Sequence, residues 1–392
     1  MTHRPRIILA HDWLCGLRGG ELVLDALSRL LPTMGEVVGL YTMFDDGRPL
    51  TPAIDVLAKT VSTLGRMPLA STSLRRWLLP LYPSAVEELS RRLGLEHERS
   101  PIDLVVSTSS AAMKGLRPPM GVPHLCYIHT PARYLWSQGH EYAKESRARA
   151  LGLAAFGPAL RRWDRATASN VTRFIANSHH TAALTASCYG IRRDKVYVVH
   201  PPIRTDVFTP PPPLTPREDF WLLVSALEPY KRIDLAIEAA ALARARLVIA
   251  GSGSHEPHLR RHAAAFPAAR IEFLGRVSEA RLQELFQTAR LFVHPQVEDF
   301  GMTAVEAQAS GLPVVAFARG GALDTVRDGI TGALFRTQSP ESLAEAARRC
   351  PKSADQTCRT NALRFTEANF DRAISQHIRE MLGLPPCLVP SA

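Results

Sequence analysis

Short apolar runs alternate with helix-patterned segments along the whole chain, and they do so in two series. RIILA, DLVVST, HLCYIH, RFIANS and VYVVHP read as strands in the first half; WLLVSA, RLVIAG, IEFLG, LFVHP and PVVAF read as strands in the second. Each run is followed by a turn or loop. Between them, segments such as GELVLDALSRLL, DLAIEAAALAR and EARLQELFQTA carry apolar residues at i, i+3 and i+4, the helical period. Strands apolar on both faces and separated by helices build parallel sheets covered on both sides. Two such series predict an α/β protein of two doubly wound, Rossmann-like domains facing across a cleft. Ligands of such sheets bind outside the carboxyl ends of the strands.

The break between the series is HPPIRTDVFTPPPPLTPREDF, in which Pro210 to Pro213 are consecutive. It reads as a stiff, extended linker. The domains are drawn at 1–204 and 205–372, with a C-terminal helix or tail, 373–392, expected to pack back on the first domain. A chain of 392 residues suits two domains rather than one.

No run approaches the roughly 18–20 apolar residues of a membrane helix. The apolar run near the N-terminus meets His11 and Asp12 after four residues, so it is read as a first strand rather than a signal peptide. Six cysteines (Cys15, Cys126, Cys188, Cys350, Cys358, Cys387) show no C-x-x-C spacing. Scattered thiols fit a reducing compartment and no zinc site, so a cytoplasmic protein is expected. The net charge of +10 is uneven: up to Arg204 there are 26 Lys+Arg against 16 Asp+Glu, and beyond it 21 against 21. A basic first half can face an anionic partner, such as a phosphate-bearing acceptor or a lipid surface. Nucleic acid is disfavoured, because no aromatic-interleaved basic motif is present. TSLRRWLLPLYP, with Arg75, Arg76 and Trp77, suits either a membrane interface or an ordinary amphipathic helix.

Several stretches carry chemistry. Lys231 and Arg232 stand just before a helical segment, where cations oppose the helix dipole unless an anion is bound. VIAGSGSHEP runs from a strand into Gly251 and Gly253, which would let a ligand approach the backbone. It lacks the third glycine of the dinucleotide fingerprint, which argues against a redox enzyme. In VEDFGMTAVEAQASGLP, a helix starting near Met302 would aim the amides of Phe300, Gly301 and Met302 at a diphosphate or sugar. Glu298, in the loop, and Glu306, about a turn into the helix, would then bracket a sugar nucleotide, one at each sugar. Asp45-Asp46 reads as a solvated turn rather than a magnesium site.

These motifs resemble the retaining glycosyltransferases of family 4, of GT-B fold. The matching pieces are EPYKRIDLAIEA, AGSG, FLGRVSEARL, the Glu298-x7-Glu306 pair and GLPVVAFARGG. In the first half they are HDWLCGLRGGELVLDAL, CYIHTPARYLW, ANSHHTAALTASCYGI and KVYVVHPPIRTDVF. YIHTPARYLW together with EPYKRIDLAIEA is most similar to mannosyltransferases that build bacterial O-antigen and exopolysaccharide repeat units.

The resemblance implies that Lys231 holds the donor diphosphate, with Arg232, Gly251, Gly253 and Val277 also on the donor side. It implies that Glu306 binds the ribose and Glu298 the donor sugar, which the amides of Phe300, Gly301 and Met302 also reach. Gly19-Gly20 would lie beside the diphosphate and acceptor, and His129 would point at the transferred sugar. His129, Lys231 and Glu298 are the catalytic candidates, and Arg133 and Tyr134 are placed on the acceptor. The reaction implied is metal-independent and cofactor-free transfer of a hexose, mannose from GDP-mannose, to a glycan, glycolipid or polyprenyl-diphosphate-linked acceptor. No protein nucleophile is evident, in keeping with front-face substitution.

One departure stands out. Where the family pattern ends its strand in Gly-Arg-Leu, this chain has Ser225-Ala226-Leu227, so a bidentate guanidinium–phosphate contact is missing. Arg232 or Arg133 would have to substitute. A UDP-sugar transferase, a sugar-nucleotide 2-epimerase and a non-catalytic relative are the alternatives.

Overall fold

A computed structural model describes residues 4–385, apart from 68, 72, 73, 76, 138–146, 213, 214 and 353. The chain forms two compact units. One holds the residues up to Pro202 together with those from Ala368 onward; the other is Ile203–Glu367. The sequence had drawn the joints at 204/205 and 372/373.

The first unit contains β1 (Arg6–Leu14), β2 (Glu36–Asp45), β3 (Lys59–Val61), β4 (Leu104–Ser109), β5 (His124–Ile128), β6 (Arg173–Ala176) and β7 (Val196–Val198), all parallel, in the order β3-β2-β1-β4-β5-β6-β7. The second contains β8 (Phe220–Val224), β9 (Arg246–Ala250), β10 (Arg270–Gly275), β11 (Leu291–His294), β12 (Val314–Phe317) and β13 (Gly332–Phe335), in the order β10-β9-β8-β11-β12-β13. Both sheets are parallel because their central strands are buried on both faces and successive strands are joined through helices. β4 and β5 are buried along their full length. In each sheet the strand order reverses once, beside β1 in the first and beside β8 in the second. That reversal opens the crevice in which α/β sheets bind ligands.

Three strands escaped the sequence reading: β2, β3 and β13. β13 is Gly-Ala-Leu-Phe, a poor strand former by propensity. It is selected by packing, since a side chain at Gly332 would overlap the backbone of Val314 on the neighbouring strand.

The proline-rich segment is not a free linker. Ile203 N donates to Phe365 O (2.8 Å), Arg359 Nη1 donates to the carbonyls of Thr205 (2.8 Å) and Phe208 (2.9 Å), and Gln287 Nε2 donates to Thr209 O (2.8 Å). The segment is therefore strapped onto the second unit, with the side-chain donors Arg359 and Gln287 half-buried.

Toward the C-terminus the chain forms a helix ending at Ala362, a short 3-10 turn (Leu363–Phe365) and the helix Glu367–Met381, so the last helix starts before the expected 373. The last helix sets Phe370, Ile374 and Ile378 into the core of the first unit, with Phe370 edge-on to Tyr127 at 5.8 Å. Arg173 Nη1 bonds Glu380 at 2.6 Å on the same face. No helix among the described residues is long and apolar enough to cross a membrane.

Candidate active site

The second unit gathers the residues around the carboxyl ends of β8 and β11. After β8 the chain passes Ser225 and Leu227, which are laced to the loop following β9. Leu227 N donates to Ser252 O (3.1 Å), and His255 N donates to Leu227 O (2.9 Å). Side chains at Gly251 and Gly253 would overlap the backbones of Ser225 and Leu227. The approach of chain to chain is by itself enough to require both glycines. Ala226 is exposed at this corner and carries nothing that could grip a phosphate.

A 3-10 turn, Pro229–Lys231, then leads through Arg232 into the helix Ile233–Ala243. Arg232 lies in the left-handed region, φ 51°, at a cost of roughly 1–2 kcal/mol for an L-residue. Its guanidinium is held by Asp234 (3.4 Å) and Gln338 Oε1 (3.3 Å). Arg232 is therefore tied into its own helix start.

Lys231, by contrast, forms an ion pair with Glu298, and both are largely buried. Gln296 Nε2 also donates to Glu298 Oε1 (3.2 Å) and sits 3.3 Å from His294 Nδ1. His294 ends β11. Burial drives its imidazole down to about 4; Glu298 pushes it up and Lys231 down. It is neutral at physiological pH.

Gly301 caps the helix Met302–Ala309 with φ 90°. A side chain there would come 3.3 Å from His294 Nε2. The first amides of a helix have no carbonyl a turn earlier and are natural donors to an anion. Phe300, whose ring is buried, offers its backbone to such a ligand. The Phe300 ring is buried against Phe365 at 5.5 Å, and Met302 and Val277 pack on the same core. Gly320 and Gly321 press on the other side of the loop. Gly321 N donates to Glu298 O (2.8 Å), and a side chain at either glycine would overlap the Glu298–Phe300 backbone.

Glu306 lies deeper, 7% exposed, and its Oε1 is 3.6 Å from Arg204 Nη2. Burial raises its carboxyl above the usual range; Arg204 opposes this and Glu279 reinforces it.

In the first unit the residues meet where β1 and β5 end. His129 N donates to Ser109 O (2.9 Å), and its ring is edge-on to Tyr127 at 5.3 Å. Burial carries the His129 imidazole down to about 3, with His11 and Arg133 adding to the fall and Glu21 opposing it. Its Nε2 is buried without a hydrogen-bond partner among the described residues.

Gly20 faces both histidines: a side chain there would stand 3.6 Å from His11 Cε1 and from His129 Nε2. Gly19 and Gly20 open the helix Gly19–Leu30, so this helix start is directed at the imidazoles. His11 is bonded through Nδ1 to Thr108 Oγ1, and its Nε2 is 3.7 Å from Glu21 Oε1. Glu21 Oε2 accepts from Arg18 N (3.1 Å) and caps the helix. Burial would raise the Glu21 carboxyl, but its bond to His11 and the His11 charge outweigh that and hold it low. Asp12, next to His11, accepts from the amides of Ser110 (2.6 Å), Ala111 (2.9 Å), Ala112 (2.8 Å) and Met113 (2.8 Å), fixing the loop after β4.

Arg133 and Tyr134 start the short helix Arg133–Trp136; Tyr134 is half-buried and packs on the core. Asp45 is not a solvated turn residue, because its carboxylate is mostly buried and lies 3.7 Å from Lys59 Nζ. Asp46 does sit in a turn, accepting from Arg48 N (3.1 Å). Around TSLRRWLLPLYP, Leu74, Trp77 and Leu81 are exposed, and Arg75 lies over the Trp13 ring at 4.6 Å. Arg76 lies outside the described residues.

His11, Glu21, Arg204, His294 and Gln296 were not singled out from the sequence. His11 and His294 each close an apolar strand run, which is the only signal that could have flagged them.

Two family models cover the chain in succession: "Glycosyltransferase Family 4" over residues 17–207 and "Glycosyl transferases group 1" over 209–362. Among curated proteins, the D-inositol 3-phosphate glycosyltransferase of Mycolicibacterium smegmatis is 32% identical over 260 residues, covering 61% of this chain and 60% of that protein. The corresponding enzyme of Mycobacterium avium is 35% identical over 190 residues, covering 44% of this chain and 45% of its own. The chain thus spans about half the length of the curated relatives it matches. Among solved structures, sucrose-phosphate synthase from Thermosynechococcus elongatus superposes with a TM-score of 0.76 at 20% identity, over 97% of this chain and 100% of that one. Anabaena HepE in complex with UDP and glucose gives 0.67 at 19% identity, over 96% and 99%. These likenesses place both sheets in the GT-B fold.

Proposed function

The chain belongs to the family 4 glycosyltransferases of GT-B fold, and on that premise we propose that it transfers a hexose from a nucleotide sugar with retention of anomeric configuration and without a metal. The observation that carries this reading is the Lys231–Glu298 pair beside the Gly301 helix start, at the point where the second sheet reverses. A cation, a carboxylate and helix amides in one crevice suit a diphosphate and a sugar together.

Cleavage of the anomeric C–O bond leaves negative charge on the diphosphate and positive charge on the sugar ring. Lys231 and the amides at Gly301 and Met302 stabilise the departing diphosphate, in a site where preorganised dipoles act strongly. The leaving phosphate oxygen takes the proton of the acceptor hydroxyl, and that hydroxyl attacks from the same face. Neutral His129 bonds a sugar hydroxyl through Nε2 without adding a positive charge that would oppose the oxocarbenium-like ring. Glu306 accepts from the ribose hydroxyls and Glu298 from the sugar. Arg133 and Tyr134 are assigned to the acceptor.

GDP-mannose is the proposed donor, on the resemblance of YIHTPARYLW and EPYKRIDLAIEA. A uridine nucleotide is the second reading, favoured by the UDP held in the HepE complex. The acceptor is proposed to be a glycan, glycolipid or polyprenyl-diphosphate-linked sugar. The basic first half and the exposed Leu74, Trp77 and Leu81 would bring the protein to the cytoplasmic membrane surface.

Incubation with GDP-[14C]mannose and a polyprenyl-diphosphate-linked sugar, in excess EDTA, tests the activity. A labelled product whose new linkage is an α-glycoside by NMR supports the proposal. An inverted linkage, or dependence on added metal, contradicts it. Sedimentation with anionic vesicles tests the membrane contact, and a protein wholly in the supernatant at low salt sinks it.

A further inference from the structure

Arg204 lies in the segment that opens the second unit, and nothing in the transferase reading assigns it a task. Its backbone is locked on both sides: Ile203 N bonds Phe365 O (2.8 Å), Phe208 N bonds Arg204 O (3.0 Å), and Arg359 holds the carbonyl of Thr205 (2.8 Å). Its guanidinium rests 5.1 Å from the centre of the Phe208 ring. Nη1 bonds Glu279, in the first turn of the helix Glu279–Thr288, and Nη2 stands 3.6 Å from Glu306 Oε1. One rigid fork therefore bridges two helices, one carrying Glu306 and the other following directly on Val277.

The environments of the partners differ. The Arg204 side chain is 39% exposed, whereas that of Glu306 is 9% exposed. A carboxylate buried among apolar groups loses its charge unless a cation faces it. Among the described residues, the charged groups that act on Glu306 are Arg204, from the strapped segment, and Glu279, from the neighbouring helix; its own helix, Met302–Ala309, contributes none. Glu279 repels Glu306 and is itself neutralised by Arg204. The near contact runs from Nη2 to Oε1 of Glu306, at 3.6 Å.

We propose that Arg204 is a positioning residue for donor recognition: it holds the Glu306 carboxylate charged and aimed, so that it accepts hydrogen bonds from the two ribose hydroxyls of the nucleotide. This rests on the donor reading above. It adds that ribose recognition belongs to an arginine–glutamate unit rather than to Glu306 alone, and that an arginine outside the diphosphate corner supports a chain in which Ala226 is silent.

The probes are GDP and its 2′,3′-dideoxy analogue, with UDP and dideoxy-UDP run in parallel, titrated calorimetrically at pH 7.5 and 5.5 into wild type, Arg204→Met, Arg204→Lys and Glu306→Gln. Wild type is expected to prefer the ribose form about tenfold or more. Arg204→Met and Glu306→Gln should each reduce that preference to near unity while leaving affinity for the dideoxy form within about twofold. Arg204→Lys should restore part of it, and that part should be lost first at pH 5.5. Circular dichroism establishes that each variant is folded, and the lysine variant carries the test where the methionine variant is not. If Glu306→Gln loses the preference and both Arg204 variants keep it, the inference fails and the donor reading stands. A fall in melting temperature without change in the ribose-to-dideoxy ratio likewise overturns it, since a merely structural arginine would behave so. If no nucleotide binds wild type, the donor reading falls and takes the inference with it.

Discussion

Lys231 and Glu298 are 67 positions apart and form one ion pair, and the protein's chemistry is concentrated in such meetings of single residues. Ala226 is the residue at which this chain departs from the pattern it resembles, and the structure leaves its side chain exposed at the end of β8. Under the proposed function, a guanidinium there would share the donor diphosphate with Lys231. Charge-assisted hydrogen bonds are worth about 1.5–3 kcal/mol, or roughly ten- to a hundredfold in affinity. Ala226→Arg should therefore lower the KM for the nucleotide sugar by about tenfold or more, measured by initial rates. An unchanged or raised KM would show that the diphosphate does not lie against this corner.

Lys231, Glu298 and the Gly301 helix start were legible in the sequence because an unusual run of residue types marks each. Arg204 and His11 were not. Arg204 looks like linker charge until the fold brings it to a glutamate 102 positions away, and His11 looks like the end of a strand.

At the scale of elements, the loop from Glu298 to Phe300 is held between β11 and the Gly320-Gly321 turn. Most strands were legible in the alternation of segments, because buried parallel strands are continuous apolar runs. β13 was not, and its identity is decided by the close approach of Gly332 to β12 rather than by propensity. The same kind of contact governs the loop. Gly321→Ala must push Phe300 and hence Glu298 aside, and displacements of about 1 Å in a catalytic group cost on the order of a hundredfold. The transfer rate should fall by about that factor. Gly329→Ala is the contrast: φ there is 74° with open space around it, so a side chain is strained but displaces nothing. That variant should lose roughly 1 kcal/mol of stability and keep its kcat. Equal losses of rate in the two variants would show that the loop tolerates displacement.

On the whole-molecule scale, three of the described histidines are held neutral; His124 and His294 are buried in the core and His129 is half-buried. His124 and His294 are driven down to about 4 and His129 to about 3, each chiefly by burial. The unfolded chain takes up their protons near pH 6.5, while the folded chain resists until about pH 4 or lower. Stability from these groups is complete above about pH 6.5 and is lost as pH falls through that window. A shift from 6.5 to about 4 is worth at most about 3 kcal/mol per histidine. Urea unfolding at pH 7.5 and 5.0 should show a fall in stability, with His124→Gln showing a smaller fall than wild type. A flat response across this window would mean that the imidazoles are solvated.

The division into two doubly wound halves was visible from the repeated strand–helix alternation. The joint was less so, because the proline run that marks a linker by composition is strapped to the second unit by Arg359 and Gln287.

We propose above all that the second unit binds a nucleotide sugar through Lys231, the Gly301 helix start and Glu306. Its most direct test is a thermal-shift panel of GDP-mannose, GDP, UDP-glucose, UDP-GlcNAc and UDP on wild type and Glu306→Ala. A ligand that binds only the folded state raises Tm by mass action. The expected result is that GDP-mannose and GDP raise the Tm of wild type and leave Glu306→Ala unmoved. A rise with uridine nucleotides alone would contradict the donor base, and no rise with any nucleotide would contradict the claim itself.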